Sequence, residues 1–274
     1  TLLRSAHLLS EALEGKKYGV TIPEASFELS KVMSRKTKIL KKLGAGIRLG
    51  LQNHGVEIVT EEARLTDKTA DGFTIAAGES SYSARRVIIA TGSKAFIPPI
   101  DGLSDVPYWT AREALEVEEL PKSIVVLGGG VIGMEFVSLF STLGVDVTVV
   151  EMLPKILGPM DEELSTELQQ AFEKRKVKFH LSTKVTAVRD GRVIAEHEGV
   201  QLEIPFDKLL VSVGRRAVTD GLGLETVGVE LNRGAIVVDE HLETSVPGIY
   251  AVGDVNGVSM LAHTAAREGQ VAVH

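Results

Sequence analysis

The chain has 274 residues, of which 44% are hydrophobic and 24% are charged, as is ordinary for a globular protein. Its net charge of −7 argues against a nucleic-acid-binding surface, which needs a basic face, and gives no support for binding to anionic membranes. It contains no cysteine, which excludes disulfides, thiolate metal sites and cysteine nucleophiles within these residues.

Two helices are predicted before residue 55. Residues 1–14 carry leucine and alanine at helical spacing, and a longer apolar stripe of the same period runs from Phe27 to Gln52. Gly55 is a suitable stop for the second helix. No apolar run is long enough to span a bilayer. Because Thr1 is not an initiator Met and both ends look like cuts through structure, we expect a fragment of a longer protein.

Short strands are predicted next, at the sequences VEIV, EARLTD, GFTIAA and RVIIATG between residues 56 and 92. The last of these is a continuous apolar run that ends at Thr91 and Gly92, as expected of a fully buried strand. Residues 98–121 are punctuated by proline and glycine, which indicates a domain boundary.

From Ser123 onward the pattern changes to strand, glycine turn, helix and strand. The strand SIVVL precedes three glycines, a helix is predicted from Met134 to Leu143, and DVTVV follows as the next strand. A second helix is predicted over residues 161–175, and further strands at KLLVSVG, AIVVD and GIYAVGD. Alternating strands and helices indicate an α/β fold with a parallel sheet.

The glycines after SIVVL fit the pattern G-x-G-x-x-G. Gly128 permits the tight turn out of the strand, Gly130 lets a pyrophosphate approach, and Gly133 lets the helix pack on the sheet. The helix N-terminus then offers unpaired N–H groups to phosphates. The pattern alone is weak, but here a strand precedes it and a helix follows it, which is the context that dinucleotide binding requires. The alternative is a glycine-rich turn without a ligand.

An acidic residue follows the second strand of this unit. Glu151 lies 21 residues after Gly130, where a carboxylate accepts hydrogen bonds from ribose hydroxyls and repels a 2′-phosphate. No Arg or Lys occurs in the three residues after it, and Lys155 is the first cation. The sequence therefore favours NAD over NADP.

Two further turns follow predicted strands far apart in the chain. The strand before ATGS ends in small residues that leave room for a ligand, and YAVGDV places Gly253 before Asp254, whose carboxylate can accept from sugar hydroxyls. Taken singly, each is equally typical of a tight turn without a ligand.

The order of these motifs resembles the two-dinucleotide flavoprotein disulfide reductases. It comprises ATG at 90–92, GGGVIGME at 128–135, GRR at 214–216, GD at 253–254 and MLAHTAAREG at 260–269. The last of these, with SVGRRAVTDGLGLE at 212–225, is most similar to the dihydrolipoyl dehydrogenases. The resemblance covers essentially the whole chain. One departure is that Ala217 and Val218 stand where the family commonly has Pro-Asn, which removes the proline restraint on that loop.

The resemblance implies two Rossmann-like dinucleotide-binding domains, with an NAD-binding domain at 117–243 inserted into an FAD-binding domain at 1–116 and 244–274. Residues implied to bind NAD are Gly128, Gly130, Val131, Ile132, Gly133, Glu151, Val213, Gly214 and Arg215, and those implied to contact FAD are Thr91, Gly92, Gly253, Asp254, Met260, Leu261 and Ala262. Glu135 matches the family's helix glutamate near the nicotinamide and is the candidate catalytic residue; the alternative is a surface carboxylate. His263 is interpreted as structural.

The implied activity is oxidation of dihydrolipoyl groups through a disulfide and FAD, with reduction of NAD. The implied partner is a lipoyl-bearing acyltransferase of a 2-oxo acid dehydrogenase complex, and the full-length protein would be a cytoplasmic homodimer. The family's first FAD loop and Cys-x4-Cys pair would precede Thr1, and its dimerisation domain with the His/Glu base pair would follow His274. We therefore expect this chain to bind FAD weakly and to bind NAD without dithiol turnover.

Other interpretations remain open at this point. A flavin reductase of the same architecture, such as an NADH oxidase, a soluble transhydrogenase or a mercuric reductase, would carry the same motifs. A non-catalytic dinucleotide-binding module is the alternative from a different class. No G-x-S-x-G or H-E-x-x-H motif supports a hydrolase or a zinc site.

Overall fold

The computed structural model describes all 274 residues, from Thr1 to His274. The helices in chain order are α1 (Leu2–Glu14), α2 (Leu29–Asn53), α3 (Ala111–Ala114), α4 (Val131–Thr142), α5 (Glu162–Glu173), α6 (Leu224–Val227) and α7 (Ala262–Val273). Strands before α5 are β1 (Ala63–Thr69), β2 (Gly72–Ala77), β3 (Ser80–Ala84), β4 (Val87–Ile89), β5 (Ser93–Ala95), β6 (Ser123–Leu127) and β7 (Asp146–Val150). Later strands are β8 (Lys178–His180), β9 (Lys184–Arg189), β10 (Arg192–His197), β11 (Val200–Pro205), β12 (Lys208–Val211), β13 (Arg215–Ala217), β14 (Leu231–Asn232), β15 (Ala235–Ile236) and β16 (Ile249–Ala251).

The helices predicted from apolar periodicity are confirmed. Helices α1 and α2 occupy the two predicted N-terminal segments, and α4 and α5 follow β6 and β7 as expected. Asp161 caps α5 because its carboxylate accepts the backbone N–H of Glu163 at 2.9 Å, a role that Asp favours at a helix start. Periodicity and capping chemistry therefore agree in α5.

One predicted strand is wrong. Residues 56–59, with the sequence VEIV, form no strand, and the side chains of Val56 and Val59 are 45% and 41% exposed. A β-branched run favours an extended backbone, but a strand forms only where a neighbouring strand supplies hydrogen bonds. This segment has no such neighbour.

Strands β9, β10 and β11 form an antiparallel sheet that the sequence analysis missed. Two-residue turns connect them, with φ of +52° and +68° at Asp190 and Gly191 and of +50° and +79° at Glu198 and Gly199. Positive φ at both central residues is the geometry that Asp-Gly favours in tight hairpins. The sequence feature that could have predicted this hairpin is the Asp190-Gly191 pair between two segments of alternating apolar residues.

The chain divides into two compact units. Unit 1 comprises Thr1–Leu49 and Ala95–Gly214, and unit 2 comprises Gly50–Lys94 and Arg215–His274. Residues 215–243, grouped with the preceding segment in the sequence analysis, lie in unit 2. There Leu224, Val227 and Ile236 are buried in one cluster with residues of β1, β2 and β16.

Unit 1 is built on a four-stranded parallel sheet in the order β12-β6-β7-β8. Alternate residues of β6 point to opposite faces, as strand geometry requires. Ile124 and Val126 pack into a cluster that includes residues of α4 and α5, whereas Val125 and Leu127 pack with residues of β9, β10 and β11. This buried parallel sheet confirms the α/β class for unit 1.

Unit 2 contains the parallel pair β16-β4 and the antiparallel sheet β1-β2-β3. Ile249 and Ala251 of β16 are fully buried in the core cluster of this unit, together with Phe73 of β2. The parallel pair places the ends of β4 and β16 side by side, so that the ATGS and GDV turns follow neighbouring strands.

Candidate functional site

The glycine loop of unit 1 follows the central strand of the parallel sheet. Strand β6 lies between β12 and β7, and its last residue, Leu127, leads directly into Gly128. In open parallel sheets, ligands bind outside the carboxyl ends of the strands, where neighbouring connections diverge. The loop therefore occupies the position expected of a nucleotide-binding loop.

The three glycines of the motif have different surroundings. Gly128 has a φ of +101°, and a Cβ there would lie 2.6 Å from the carbonyl oxygen of Ser212. A Cβ at Gly133 would collide with the carbonyl oxygen of Gly128, so the fold itself requires glycine at both positions. Gly130 has ordinary φ, and nothing lies within 4 Å of the position its Cβ would take. The space beside Gly130 is therefore open to a ligand.

Helix α4 begins at this open glycine. Gly130 is its N-cap, and no side chain caps the first turn. Val131 is 53% exposed, whereas Ile132 packs against the unit 1 core. A twelve-residue helix presents a partial positive charge and free N–H groups at its N-terminus. This arrangement favours an anionic group beside Gly130.

The acid predicted to bind ribose lies beside the glycine loop. Glu151 directly follows β7, and its carboxylate oxygens accept the backbone N–H of Gly129 at 2.5 Å and of Leu153 at 2.7 Å. Each carboxylate oxygen retains a free lone pair after these contacts. Backbone bonds from Glu151 N–H to the carbonyl of His180 and from Thr183 N–H to the carbonyl of Glu151, both 2.9 Å, hold the residue in place.

The residues after Glu151 carry no cation toward it. Met152 and Leu153 are 66% and 46% exposed. Lys155 instead donates its Nζ hydrogen bond to the carbonyl of Met160 at 2.7 Å. The first cation after Glu151 in the sequence is therefore engaged by a carbonyl of the same loop.

The remaining predicted residues of unit 1 lie close to the loop or at the helix surface. Ser212, which precedes Val213, donates to the carbonyl oxygens of Leu127 and Gly128 at 3.0 and 3.3 Å. Gly214 has a φ of +139° and open space at its Cβ position. Glu135 is exposed on α4 and forms no hydrogen bond or ion pair with the rest of the chain.

The predicted turns of unit 2 lie together. Ser93 donates its hydroxyl hydrogen bond to Oδ2 of Asp254, which joins the turn after β4 to the turn after β16. Thr91 donates to the carbonyl of Val218 at 2.7 Å, and Gly92 accepts the N–H of Val218 at 2.9 Å. These two bonds fix Val218, the position at which the Pro-Asn of the resembled family is absent.

Arg215 belongs to the same cluster of unit 2. It donates through Nε and a terminal nitrogen to the hydroxyl and carbonyl of Ser93, at 2.7 and 2.6 Å, and its Nε lies 3.9 Å from Asp254. From the sequence, Arg215 is expected among the residues implied to bind NAD. The structure instead brings its side chain to Ser93 and to Asp254, one of the residues implied to contact FAD.

Two buried polar residues beside the candidate turn of unit 2 were not predicted from the sequence. Glu268 and Asn256 are buried and hydrogen-bonded to each other beside Gly253. The one sequence feature that indicated burial of Glu268 is its position three residues after Ala265, on the same face of an amphipathic helix. In contrast, Met260 and Leu261 are 41% and 53% exposed, and Ala262, which begins α7, is also exposed.

Comparison with known proteins identifies the family. A family model described as pyridine nucleotide-disulphide oxidoreductase matches residues 3–269. The chain belongs to this family. The resemblance that the motifs indicated is thereby confirmed, and so is the mixed α/β fold of the family.

Curated relatives are dihydrolipoyl dehydrogenases. The chain is 38% identical to that of Acholeplasma laidlawii over its full length, covering 81% of that protein. It is 36% identical to that of Bacillus subtilis, with 99% of this chain and 60% of that protein covered. Several other relatives of the same name share 36% to 38% identity.

Solved structures of the family superpose closely. LpdA from Mycobacterium tuberculosis has a TM-score of 0.87 at 28% identity, covering 99% of this chain and 60% of that one. The HOCl-induced flavoprotein disulfide reductase RclA from Escherichia coli has a TM-score of 0.84 at 24% identity, which shows the shared fold. The chain thus spans about 60% of the length of LpdA and of the Bacillus protein. None of its helices combines the length and apolar character needed to cross a membrane.

Proposed function

We propose that this chain is part of a flavoprotein of the dihydrolipoyl dehydrogenase type, with NAD bound at the glycine loop of unit 1 and FAD at the turns of unit 2. Each unit would then carry a Rossmann-like nucleotide site. The observation that carries the NAD assignment is the open space at Gly130 beside the uncapped N-terminus of α4, with Glu151 next to the same loop.

These residues fit a dinucleotide. The N–H groups at the start of α4 would bind the pyrophosphate, for which the missing Cβ of Gly130 leaves room. The free lone pairs of Glu151 would accept from the two ribose hydroxyls. A 2′-phosphate would meet the carboxylate, and Lys155 is engaged with Met160, so the site favours NAD over NADP.

The turns of unit 2 fit the sugar or ribitol part of a flavin nucleotide. Oδ1 of Asp254 has no partner within the chain, whereas Oδ2 is held by Ser93. The exposed apolar side chains of Met260 and Leu261 would contact the flavin ring. This contact would remove apolar surface from water, which favours binding. Thr91 and Gly92 lie on the turn paired with that of Asp254.

The reaction proposed for the longer protein is oxidation of protein-bound dihydrolipoamide with reduction of NAD. FAD and NAD would supply the electron and hydride transfer, and the residues described here would bind and orient them. Glu135 would lie beside the nicotinamide. A lipoyl-bearing acyltransferase of a 2-oxo acid dehydrogenase complex is the proposed partner, and a cytoplasmic homodimer the proposed state of the longer protein.

The 274-residue chain has no cysteine, so we expect it to bind NAD without dithiol turnover. An NADH oxidase, a transhydrogenase or a mercuric reductase would share its nucleotide sites. The curated relatives reported above are named dihydrolipoyl dehydrogenase, which favours the first assignment.

Calorimetric titration of the purified chain with NADH tests the proposal, with a dihydrolipoamide turnover assay run in parallel. Saturable NADH binding without turnover is expected. Failure to bind NADH would refute the site assignment, and turnover by this chain alone would refute the non-catalytic role.

A further inference from the structure

We propose that Glu268 is the positioning residue that fixes the Gly253-Asp254 turn so that the Asp254 carboxylate faces a flavin-nucleotide hydroxyl. The proposal rests on the FAD assignment for unit 2 and adds to it a residue from α7, twelve to fifteen positions away from the turn in sequence.

The carboxylate of Glu268 is buried and hydrogen-bonded to the turn. Glu268 is 8% exposed, and its Oε2 accepts the backbone N–H of Gly253 at 2.6 Å and the Nδ2 hydrogen of Asn256 at 3.0 Å. Both donors are neutral, and no cation forms an ion pair with the carboxylate within this chain. A buried carboxylate without a cation is costly, so its hydrogen bonds to the turn must offset its loss of hydration.

Glu268 and Asn256 together determine the path of the turn. Asn256 accepts the N–H of Val258 at 2.9 Å and donates to the carbonyl of Ala251 at 3.3 Å, so it joins the end of β16 to the chain beyond the turn. Gly253 has a φ of +75°, and a Cβ there would lie 3.2 Å from the Cβ of Ala265 on α7. Helix α7 therefore holds the turn by direct packing as well as by the Glu268 carboxylate.

The opposite side of the same turn is held by β5. Ser93 donates to Oδ2 of Asp254, and Arg215 in turn donates to Ser93. Glu268 thus fixes the backbone at Gly253 while Ser93 fixes the side chain of the next residue. With both restraints in place, Oδ1 of Asp254 is the atom left to accept from a ligand hydroxyl.

Glu243 provides a matched control in the same unit. Its Oε1 accepts the N–H of Gly248 at 2.7 Å, which is the same kind of carboxylate-to-glycine bond at a turn that carries no proposed ligand contact. Removing Glu243 therefore tests the general cost of losing such a bond, whereas removing Glu268 tests the effect on the flavin site.

The experiment measures FAD affinity by equilibrium dialysis for the wild-type chain and for Glu268→Ala, Glu268→Gln and Glu243→Ala, with amide hydrogen exchange at Gly253 as a second readout. For Glu268→Ala we expect faster exchange at Gly253 and an affinity loss of about tenfold or more. Glu268→Gln retains an oxygen acceptor for Gly253, so it should recover most of the affinity. Glu243→Ala should bind FAD like the wild type.

Each other outcome is decisive. Equal affinity of the wild type and Glu268→Ala, or equal losses in Glu268→Ala and Glu243→Ala, would overturn the positioning role. Absence of FAD binding by the wild type would instead overturn the FAD assignment on which it rests. If Glu268→Ala does not fold, Glu268→Asp takes its place. Asp keeps the negative charge, but its side chain is one methylene shorter, so the carboxylate lies farther from the N–H of Gly253. Unchanged FAD affinity of Glu268→Asp would refute the proposal.

Discussion

Oε2 of Glu151 accepts the backbone N–H of Gly129 at 2.5 Å, so the acid after β7 is hydrogen-bonded directly to the glycine loop after β6. The two features that indicated a nucleotide site from the sequence are therefore physically coupled. A displacement of the loop would move the carboxylate, and loss of the carboxylate would leave the N–H of Gly129 without its partner.

Replacing Glu151 by Gln should weaken NADH binding and reduce discrimination against NADPH. A hydrogen bond to a charged group contributes about 1.5–3 kcal/mol, so the NADH affinity should fall about tenfold or more. Loss of the negative charge also removes repulsion of the 2′-phosphate. Titration calorimetry with both nucleotides measures the effect, and Glu167→Gln, on the exposed surface of α5, is the control. An unchanged ratio of the two affinities would contradict the role of Glu151.

Replacing Gly130 by Ala should abolish most NADH affinity without affecting the fold. The backbone at Gly130 has φ of −72°, which alanine adopts, and the added Cβ meets no protein atom within 4 Å. We expect a thermal midpoint equal to that of the wild type and at least about tenfold weaker NADH binding, because the methyl group would occupy the space of the pyrophosphate.

Two other glycines provide the comparison. Gly133→Ala would press a Cβ against the carbonyl of Gly128 and should destabilise the chain by about 1–3 kcal/mol. Gly44→Ala, on α2 with open space around it, should bind NADH normally. Normal NADH binding by Gly130→Ala would show that no ligand approaches at that position.

Replacing Lys36 by Met should destabilise unit 1. The ammonium group of Lys36 is buried, and it donates to the carbonyl of Leu115 at 2.6 Å and contacts Glu116 at 2.7 Å. Met keeps the apolar stem but leaves that carbonyl without its donor, for an expected cost of about 1–3 kcal/mol. Urea unfolding measures it. Lys38→Met, at an exposed position of the same helix, should change stability by less than about 0.5 kcal/mol.

Replacing His180 by Gln should flatten the pH dependence of stability below neutrality. Burial lowers the pKa of His180 from its ordinary value near 6.5, and the neighbouring charges of His197 and Lys178 lower that pKa further. As pH falls through about 6.5, the unfolded chain takes up a proton that the folded chain does not, so the wild type loses stability. The free energy of unfolding in urea, measured between pH 5 and 8 for the two proteins, gives the contribution of His180 to this loss of stability.

Near pH 8, His180 is neutral in both folded and unfolded chains, so a difference between wild type and variant there reports packing alone. The prediction concerns the change in that difference as the pH is lowered. Parallel pH profiles for the two proteins would show that His180 contributes nothing to the acid sensitivity.

The sequence predicted those parts of the fold that depend on local pattern. Helices α1, α2, α4 and α5 follow apolar periodicity, and Gly128 and Gly133 form the tight turn and the close packing that their spacing predicts. The VEIV segment failed because a strand depends on a partner that its own residues do not specify. The sheet β9-β10-β11 was missed although Asp190-Gly191 marks a hairpin turn.

Side-chain contacts over long sequence separations were not predictable in this way. Arg215 and Ser93 are 122 positions apart, and Glu268 reaches Gly253 only because α7 folds back along the turn. No spacing rule links such residues, since their distance depends on the packing of whole elements. The glycine motif could be recognised from the sequence because its own spacing lies within one strand-turn-helix unit, whereas its contacts with Ser212 and Glu151 could not.

The unequal surroundings of the three motif glycines have a consequence for the history of this chain. Contacts with the folded backbone require glycine at positions 128 and 133. At position 130 only a ligand in the open space beside it would require glycine. A descendant that gave up its nucleotide would still be selected to keep the first and the last glycine, but the middle one would be free to drift. A homologous sequence that keeps the first and last glycines but has a larger residue at position 130 is therefore expected to fold without binding the nucleotide.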